Sequence, residues 1–172
     1  LSRYFARTAP EVQFVLADPL GSVLAGYIAT GTIGEAGSWV VEGIGEDFIP
    51  PIADLSRVSR AYTISDAESL STARERLSRE GILAGSSSGT LLAAALRYCR
   101  EQTSAKTVVT FVCDSGNKYL SKMFDDHWML DHGFRMWTAF GDLRDVVARR
   151  FAEGAVVSVT PDETLATAYT RM

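Results

Sequence analysis

Residues 81–89 read Gly81-Ile82-Leu83-Ala84-Gly85-Ser86-Ser87-Ser88-Gly89, and the rest of the chain is read outward from them. Ile82, Leu83 and Ala84 are a short apolar run of strand character that enters a turn of small polar residues. Leu91, Leu92, Ala93, Ala94, Ala95 and Leu96 follow in a row, which predicts a helix from Thr90 onward, apolar on most sides and buried. A strand–turn–helix junction directs backbone N–H groups and the positive end of a helix dipole at one point. Gly85 and Gly89 let the backbone approach a ligand, and the serine hydroxyls both donate and accept hydrogen bonds. Two readings stand side by side: a capped core helix whose serines satisfy its first amides, or a ligand-facing turn.

Downstream, residues 107–113 are apolar and rich in Val and Phe, which predicts a second strand. Asp114-Ser115-Gly116-Asn117 ends it in a loop, and a polar amphipathic helix is expected near Lys118. Upstream, Ser65-Asp66-Ala67-Glu68 is a capping box, in which the serine caps and the glutamate reaches back. Its helix carries Ala67, Leu70, Ala73 and Leu77 on one side and closes at Gly81. Residues 12–17 are a near-continuous apolar run, as expected of a strand buried on both faces of a parallel sheet. Before them, residues 1–8 read as the last turns of a helix ended by Pro10. After them come an Asp18-Pro19-Leu20-Gly21 turn, a Gly-rich loop expected to be mobile (residues 30–37), and a strand at residues 39–41. That strand enters Gly43-Ile44-Gly45-Glu46-Asp47-Phe48, then Pro50-Pro51 and a short segment to Arg60. Repeated strand, loop and helix indicate an α/β layer fold. In such sheets ligands sit at the carboxyl ends of strands, so the 85–89 and 114–117 loops are expected to face one crevice.

The character changes after Gly133. Residues 134–140, with Trp137 and Phe140, read as a connector, residues 141–150 as a charged helix and residues 156–159 as a short strand. Thr160-Pro161-Asp162-Glu163 is a second helix start, with a threonine cap and proline in the first helical position. One strand and one helix cannot bury a core. The last segment is therefore expected to belong to a domain that continues elsewhere, or to dock on the first.

The chain has 172 residues, 47% of them hydrophobic, and a net charge of −4. There is no basic block of the kind a nucleic-acid backbone needs, no apolar run long enough for a membrane helix and no signal-peptide pattern. The two cysteines, Cys99 and Cys113, suggest reduced thiols in a cytoplasmic protein. His127 and His132 lack the supporting ligands of a metal site, so no metal is expected.

The quoted stretch resembles the helix-start motif of the cysteine synthase and cystathionine β-synthase family of pyridoxal-phosphate enzymes. Val41-Glu42-Gly43-Ile44-Gly45-Glu46-Asp47-Phe48-Ile49-Pro50 resembles the family's next marker, and Asp114-Ser115-Gly116-Asn117-Lys118-Tyr119-Leu120-Ser121-Lys122 the third. Trp128-Met129 with Gly133-Phe134 is similar to the cystathionine β-synthase branch, and residues 155–172 to the opening of the small regulatory module named after that enzyme. The resemblance implies a three-layer αβα fold with a mainly parallel sheet, fold type II of these enzymes. It implies residues 1–137 as the C-terminal part of a catalytic domain, 138–154 as a linker and 155–172 as the start of a CBS regulatory module. The family's Schiff-base lysine and phosphate-binding loop have no counterpart here, and Lys106, Lys118 and Lys122 read as surface residues.

By the same resemblance the cofactor is pyridoxal 5'-phosphate. Ser87 is the residue that hydrogen-bonds the pyridine nitrogen, while Ser86 and Ser88 are helix-start residues. Gly43 lies close to cofactor and substrate, where a side chain would obstruct the ring. Asp114 and Tyr119 line the ring-nitrogen side. Glu46 stands where the animal enzymes have tyrosine and faces the second substrate. Asp18 and Asp47 are structural. The implied reaction condenses L-serine with homocysteine to cystathionine, in a homodimer acting on small amino acids. The alternatives are a cysteine synthase using O-acetylserine and sulfide, or a non-catalytic fragment with an adenosyl-ligand-sensing module.

Overall fold

The computed structural model describes residues 1–136 and 160–171. The chain forms two compact units, Leu1–Arg135 and Met136–Met172.

In the first unit, helix α1 (Ser2–Thr8) precedes strand β1 (Phe14–Pro19), helix α2 (Leu24–Thr30) and strand β2 (Val58–Ile64). Helix α3 (Asp66–Glu80), helix α4 (Ser86–Arg100), a 3-10 turn (Gly116–Tyr119) and helix α5 (Asp126–Asp131) follow. β1 and β2 pair in parallel, from Phe14 opposite Val58 to Pro19 opposite Ile64, with one irregularity between Phe14 and Val15. Burial rises toward the carboxyl end: Ala17, Asp18 and Ile64 are buried, whereas Val15 is exposed. The expectation of a strand buried on both faces is therefore met only at the end that leads into the site.

Sequence patterning passed over α2 as well as β2. The signal for β2 was present in Tyr62 and Ile64, which face inward with Thr63 between them facing out, directly before the Ser65 cap. Ser65 caps α3 by accepting the Glu68 N–H (3.3 Å), and Gly81 closes the helix at φ 68°. The reciprocal half of the expected capping box is missing. Both Glu68 carboxylate oxygens are taken by the Arg97 guanidinium of α4. α3 and α4 cross at small residues: a Cβ at Gly89 would stand 2.0 Å from the Ser69 carbonyl oxygen. Beside that crossing Thr90 Oγ1 donates to Ser69 Oγ at 2.8 Å, with both residues buried. α4 is less buried than its sequence suggested, because Ala93 and Ala94 are in the core while Leu96 is exposed.

Three expected strands are not strands here. Residues 82–84 contribute only an isolated antiparallel bridge, Ala84 to Ser115. Residues 39–41 and 107–113 are irregular, for opposite reasons considered in the Discussion. The expected helix near Lys118 is a single 3-10 turn, capped by Ser115. Two apolar clusters hold the unit together. Ala17, Tyr62, Ile64, Ala93 and Ala94 join the sheet to α4. Val41, Leu70, Ala73, Tyr119, Met123 and Met129 join α3 to the segments that carry the site.

The second unit contributes helix α6 (Leu165–Arg171). Glu163 Oε2 accepts the Thr160 N–H at 2.7 Å, as a capping box requires, yet the helix starts later, where Thr164 Oγ1 accepts the Thr167 N–H (3.2 Å). The expected helix at 141–150 and strand at 156–159 lie outside the described residues. Among the described residues no helix is long and apolar enough to cross a membrane.

Candidate functional site

α4 starts at Ser86 with Gly85 as its N-cap, and no side chain caps it. The reading in which the serines satisfy the helix's own first amides is therefore not what the structure shows. Ser86 Oγ accepts the Glu42 N–H at 3.1 Å, and Ser88 Oγ accepts the Cys113 N–H at 3.0 Å. Ser87 is 6% exposed. It differs from its neighbours in having no hydrogen-bond partner for its hydroxyl among the described residues.

The loop after residue 113 runs beside this helix start. Gly85 N–H donates to the Asp114 carbonyl and Gly116 N–H to the Leu83 carbonyl, each at 3.1 Å. A Cβ at Gly85 would fall 1.8 Å from Asp114 Oδ1, so any larger residue there would displace that carboxylate. The 85–89 and 114–117 loops are thus brought together as expected. The Tyr119 hydroxyl donates to Asp114 Oδ2 at 3.0 Å. Burial pushes the Tyr119 phenol above its usual range; the adjacent Asp114 acceptor pushes the same way, and a Ser86 hydrogen bond opposes them. Asp114 Oδ1 is buried without a partner.

Residues 39–46 close the third side. Asp66, in the first turn of α3, accepts the Val40 and Val41 N–H groups at 3.0 Å each. Trp39 Nε1 donates to the Ile44 carbonyl at 3.0 Å. Glu46 N–H donates to Ser22 Oγ at 3.0 Å, and the Glu46 carbonyl accepts the Val23 N–H at 3.0 Å. Gly43 sits between these anchors at φ +76°, with nothing within 4 Å of where a Cβ would stand. The structure therefore gathers Gly43, Ser87, Asp114 and Tyr119 around the start of α4. The Glu46 backbone is tied instead to the entry of α2.

Two residues outside the sequence-based assignment belong to this arrangement. Ser86, read as a helix-start residue, fixes the 41–42 peptide through the Glu42 N–H. Lys122, read as a surface residue, is half-exposed and ion-paired with the Glu42 carboxylate. Lys122 lies three residues beyond Tyr119 in the third motif, and that spacing was its only signal. Lys106 and Lys118 are exposed, as expected. Asp18 is structural, as expected: its Oδ2 accepts the Ala25 N–H at 2.8 Å in the first turn of α2. A polar hollow of about 220 Å³ lined by Gln13, Ser59, Arg60, Tyr98 and Gln102 lies at the other end of α4. Its distance from Ser87 is roughly the length of that helix, about 20 Å.

Residues 1–114 match the family described as pyridoxal-phosphate dependent enzymes. The chain belongs to this family. Cystathionine beta-synthase of Apis mellifera is 34% identical over 134 residues, covering 78% of this chain and 26% of that protein. Cysteine synthase of Helicobacter pylori (strain J99) is 36% identical over 122 residues, covering 71% of this chain and 38% of that protein. The crystal structure of O-acetylserine dependent cystathionine beta-synthase from Helicobacter pylori aligns with a TM-score of 0.62 and 36% identity, over 70% of this chain and 37% of that one. The chain thus spans between 26% and 38% of the length of these relatives. The fold is α/β, fold type II of this family, and the family's cofactor is pyridoxal phosphate.

Proposed function

We propose that this chain supplies the C-terminal part of the catalytic domain of a lyase that replaces the hydroxyl of L-serine with the sulfur of homocysteine, giving cystathionine. The observation that carries the reading is Ser87: a buried residue at a helix start, its hydroxyl unpaired among the described residues, between the Gly43 turn and the Asp114 loop. These residues fit one end of pyridoxal phosphate. Ser87 would hold the ring nitrogen, and the open space at Gly43 would admit the amino acid. Bound pyridoxal phosphate supplies an electron sink that eases loss of a leaving group from the substrate's β carbon. A neutral serine hydroxyl does not enforce protonation of the ring as a carboxylate would, which suits β-replacement. Tyr119 and Asp114 line the same side, with the phenol kept neutral by burial and by the carboxylate it donates to. Gly43 and Glu46 border the substrates, and the cofactor-holding lysine would come from the remainder of the polypeptide. Residues 1–137 would form the catalytic part, 138–154 a linker and 155–172 the start of a regulatory module, in a cytoplasmic homodimer.

A second reading, in which O-acetylserine is the first substrate and sulfide the second, has support from the relative named cysteine synthase, while the aligned crystal structure, an O-acetylserine dependent cystathionine beta-synthase, supports O-acetylserine alone. The discriminating experiment offers the full-length protein serine or O-acetylserine with homocysteine or sulfide and identifies products by mass. Cystathionine from serine is the expected result. Cysteine from O-acetylserine and sulfide alone would replace the first reading with the second. No β-replacement by cofactor-loaded protein would contradict both and leave a non-catalytic role.

A further inference from the structure

Ser86 is 2% exposed, and its hydroxyl reaches across to the N–H of the Val41–Glu42 peptide, one residue before Gly43. Such a hydroxyl has one proton to give and two lone pairs. One lone pair accepts the Glu42 N–H, and the hydroxyl is near enough to the Tyr119 phenol to oppose the rise of its pKa. Tyr119 in turn donates to Asp114 Oδ2. The Glu42 carboxylate is held separately by Lys122, from the turn that follows Tyr119. Every other anchor of residues 39–46 lies away from α4: Asp66 at Val40 and Val41, Trp39 at Ile44, Ser22 at Glu46. The Ser86 bond is therefore the single hydrogen bond among the described residues that ties this segment to the start of α4. It acts one residue before Gly43 and one residue before Ser87.

We propose that Ser86 is a positioning residue that sets the separation between the Gly43 turn and Ser87, and so sets how tightly the amino-acid substrate is held without itself contacting the cofactor. The proposal rests on the reading of Ser87 and Gly43 given above. Removing the hydroxyl leaves the Glu42 amide without its acceptor, an effect that mutation of a helix cap would not have. The turn then opens locally while α4, held by Ser69 and Ala73 at its crossing with α3, keeps its place.

The test uses Ser86→Ala and Ser86→Cys in the full-length protein, with Ser87→Ala as reference. The first readout is amide hydrogen exchange, which needs no activity. In both Ser86 variants the Glu42 amide should exchange roughly tenfold faster or more, the equivalent of about 1.4 kcal/mol, while the α4 amides keep their rates. The second readout is the split between KM and kcat. KM for the amino-acid substrate should rise by roughly tenfold with kcat within about threefold, the pattern of lost ground-state binding. Cofactor content and absorbance should match the parent. An unchanged Glu42 exchange rate in both variants would overturn the proposal, as would an unchanged KM with accelerated exchange. Should Ser86→Ala fail to fold, Ser86→Cys carries the test, since its thiol fills the same space but accepts hydrogen bonds weakly. A Ser87→Ala protein with parental cofactor content and spectrum would instead defeat the assignment of Ser87, whatever Ser86 does.

Discussion

Residues 39–41 and residues 107–113 have the same strand-like composition, and neither forms a strand. The first segment is irregular because side chains take its backbone groups. Asp66 accepts two consecutive amides, Ser86 the next, and Trp39 donates to the Ile44 carbonyl. Val41 is then free to enter the core beside Leu70 and Met129. The second segment is irregular because little takes its backbone groups. Among the described residues only the Cys113 amide is bonded, to Ser88 Oγ. Val109 is 77% and Phe111 55% exposed. An apolar run can thus lie outside the sheet in two ways: by being captured in a site, or by having no strand beside it among the described residues. Composition does not distinguish them, because both outcomes depend on residues far away in the chain.

The sharpest way to break this comparison is amide exchange on the 172-residue chain. The Val40, Val41 and Glu42 amides should be protected and those of residues 108–112 should exchange at close to unprotected rates, because protection follows bonded, buried backbone. Equal protection of the two segments would contradict the distinction. A smaller effect follows from Asp66→Ala, which removes the acceptor of two amides at once. It should cost about 1–3 kcal/mol, the range for stranding one buried donor, because Val41 is buried while Val40 is exposed, read as a lower urea midpoint with the slope unchanged. Stability equal to the parent would show that the 39–46 segment is held by packing alone.

Two pH effects are smaller still. The folded-state Tyr119 phenol titrates above its ordinary value of 10.0, first through burial and then through Asp114. Its contribution is therefore complete below the unfolded value and is lost as pH rises through the folded one. Tyr119→Phe should abolish that alkaline loss of stability, measured by urea unfolding on both sides of the transition. Asp126 shifts the other way: hydrogen bonds from Arg135, then from Arg74, hold its carboxyl below the usual 3.8. Its contribution is present above that value and fades as pH falls through the lowered one. Asp126→Asn should flatten the acid limb of the stability profile slightly, since the carboxylate is half-exposed and screened by solvent.

Much of the frame was legible in the sequence. The Ser65 cap, the Gly81 terminator and β1 each follow from local chemistry that acts within a few residues, whereas α4 starts at Ser86, ahead of the expected Thr90. The grouping of Gly43, Ser87, Asp114 and Tyr119 was legible only through three motifs in fixed order. What escaped reading was long-range. Glu68 was expected to turn back on its own helix, but Arg97 of α4 offers a charged fork that holds both its oxygens. Ser86 looked like a cap, but the amide it serves lies 44 residues away. Lys122 is at the surface, as read, but its ion pair with Glu42, distant in sequence, was not legible.

The central claim is that Ser87 faces the ring nitrogen of the cofactor. Its most direct test is the absorbance spectrum of full-length Ser87→Asp, loaded with pyridoxal phosphate and checked for cofactor content and for folding by circular dichroism. A carboxylate at that place favours a protonated ring nitrogen and alters the electron sink. The predicted result is retained cofactor, a changed spectrum and a large loss of β-replacement. Retained cofactor with an unaltered spectrum and turnover at the parent rate would show that Ser87 does not touch the ring.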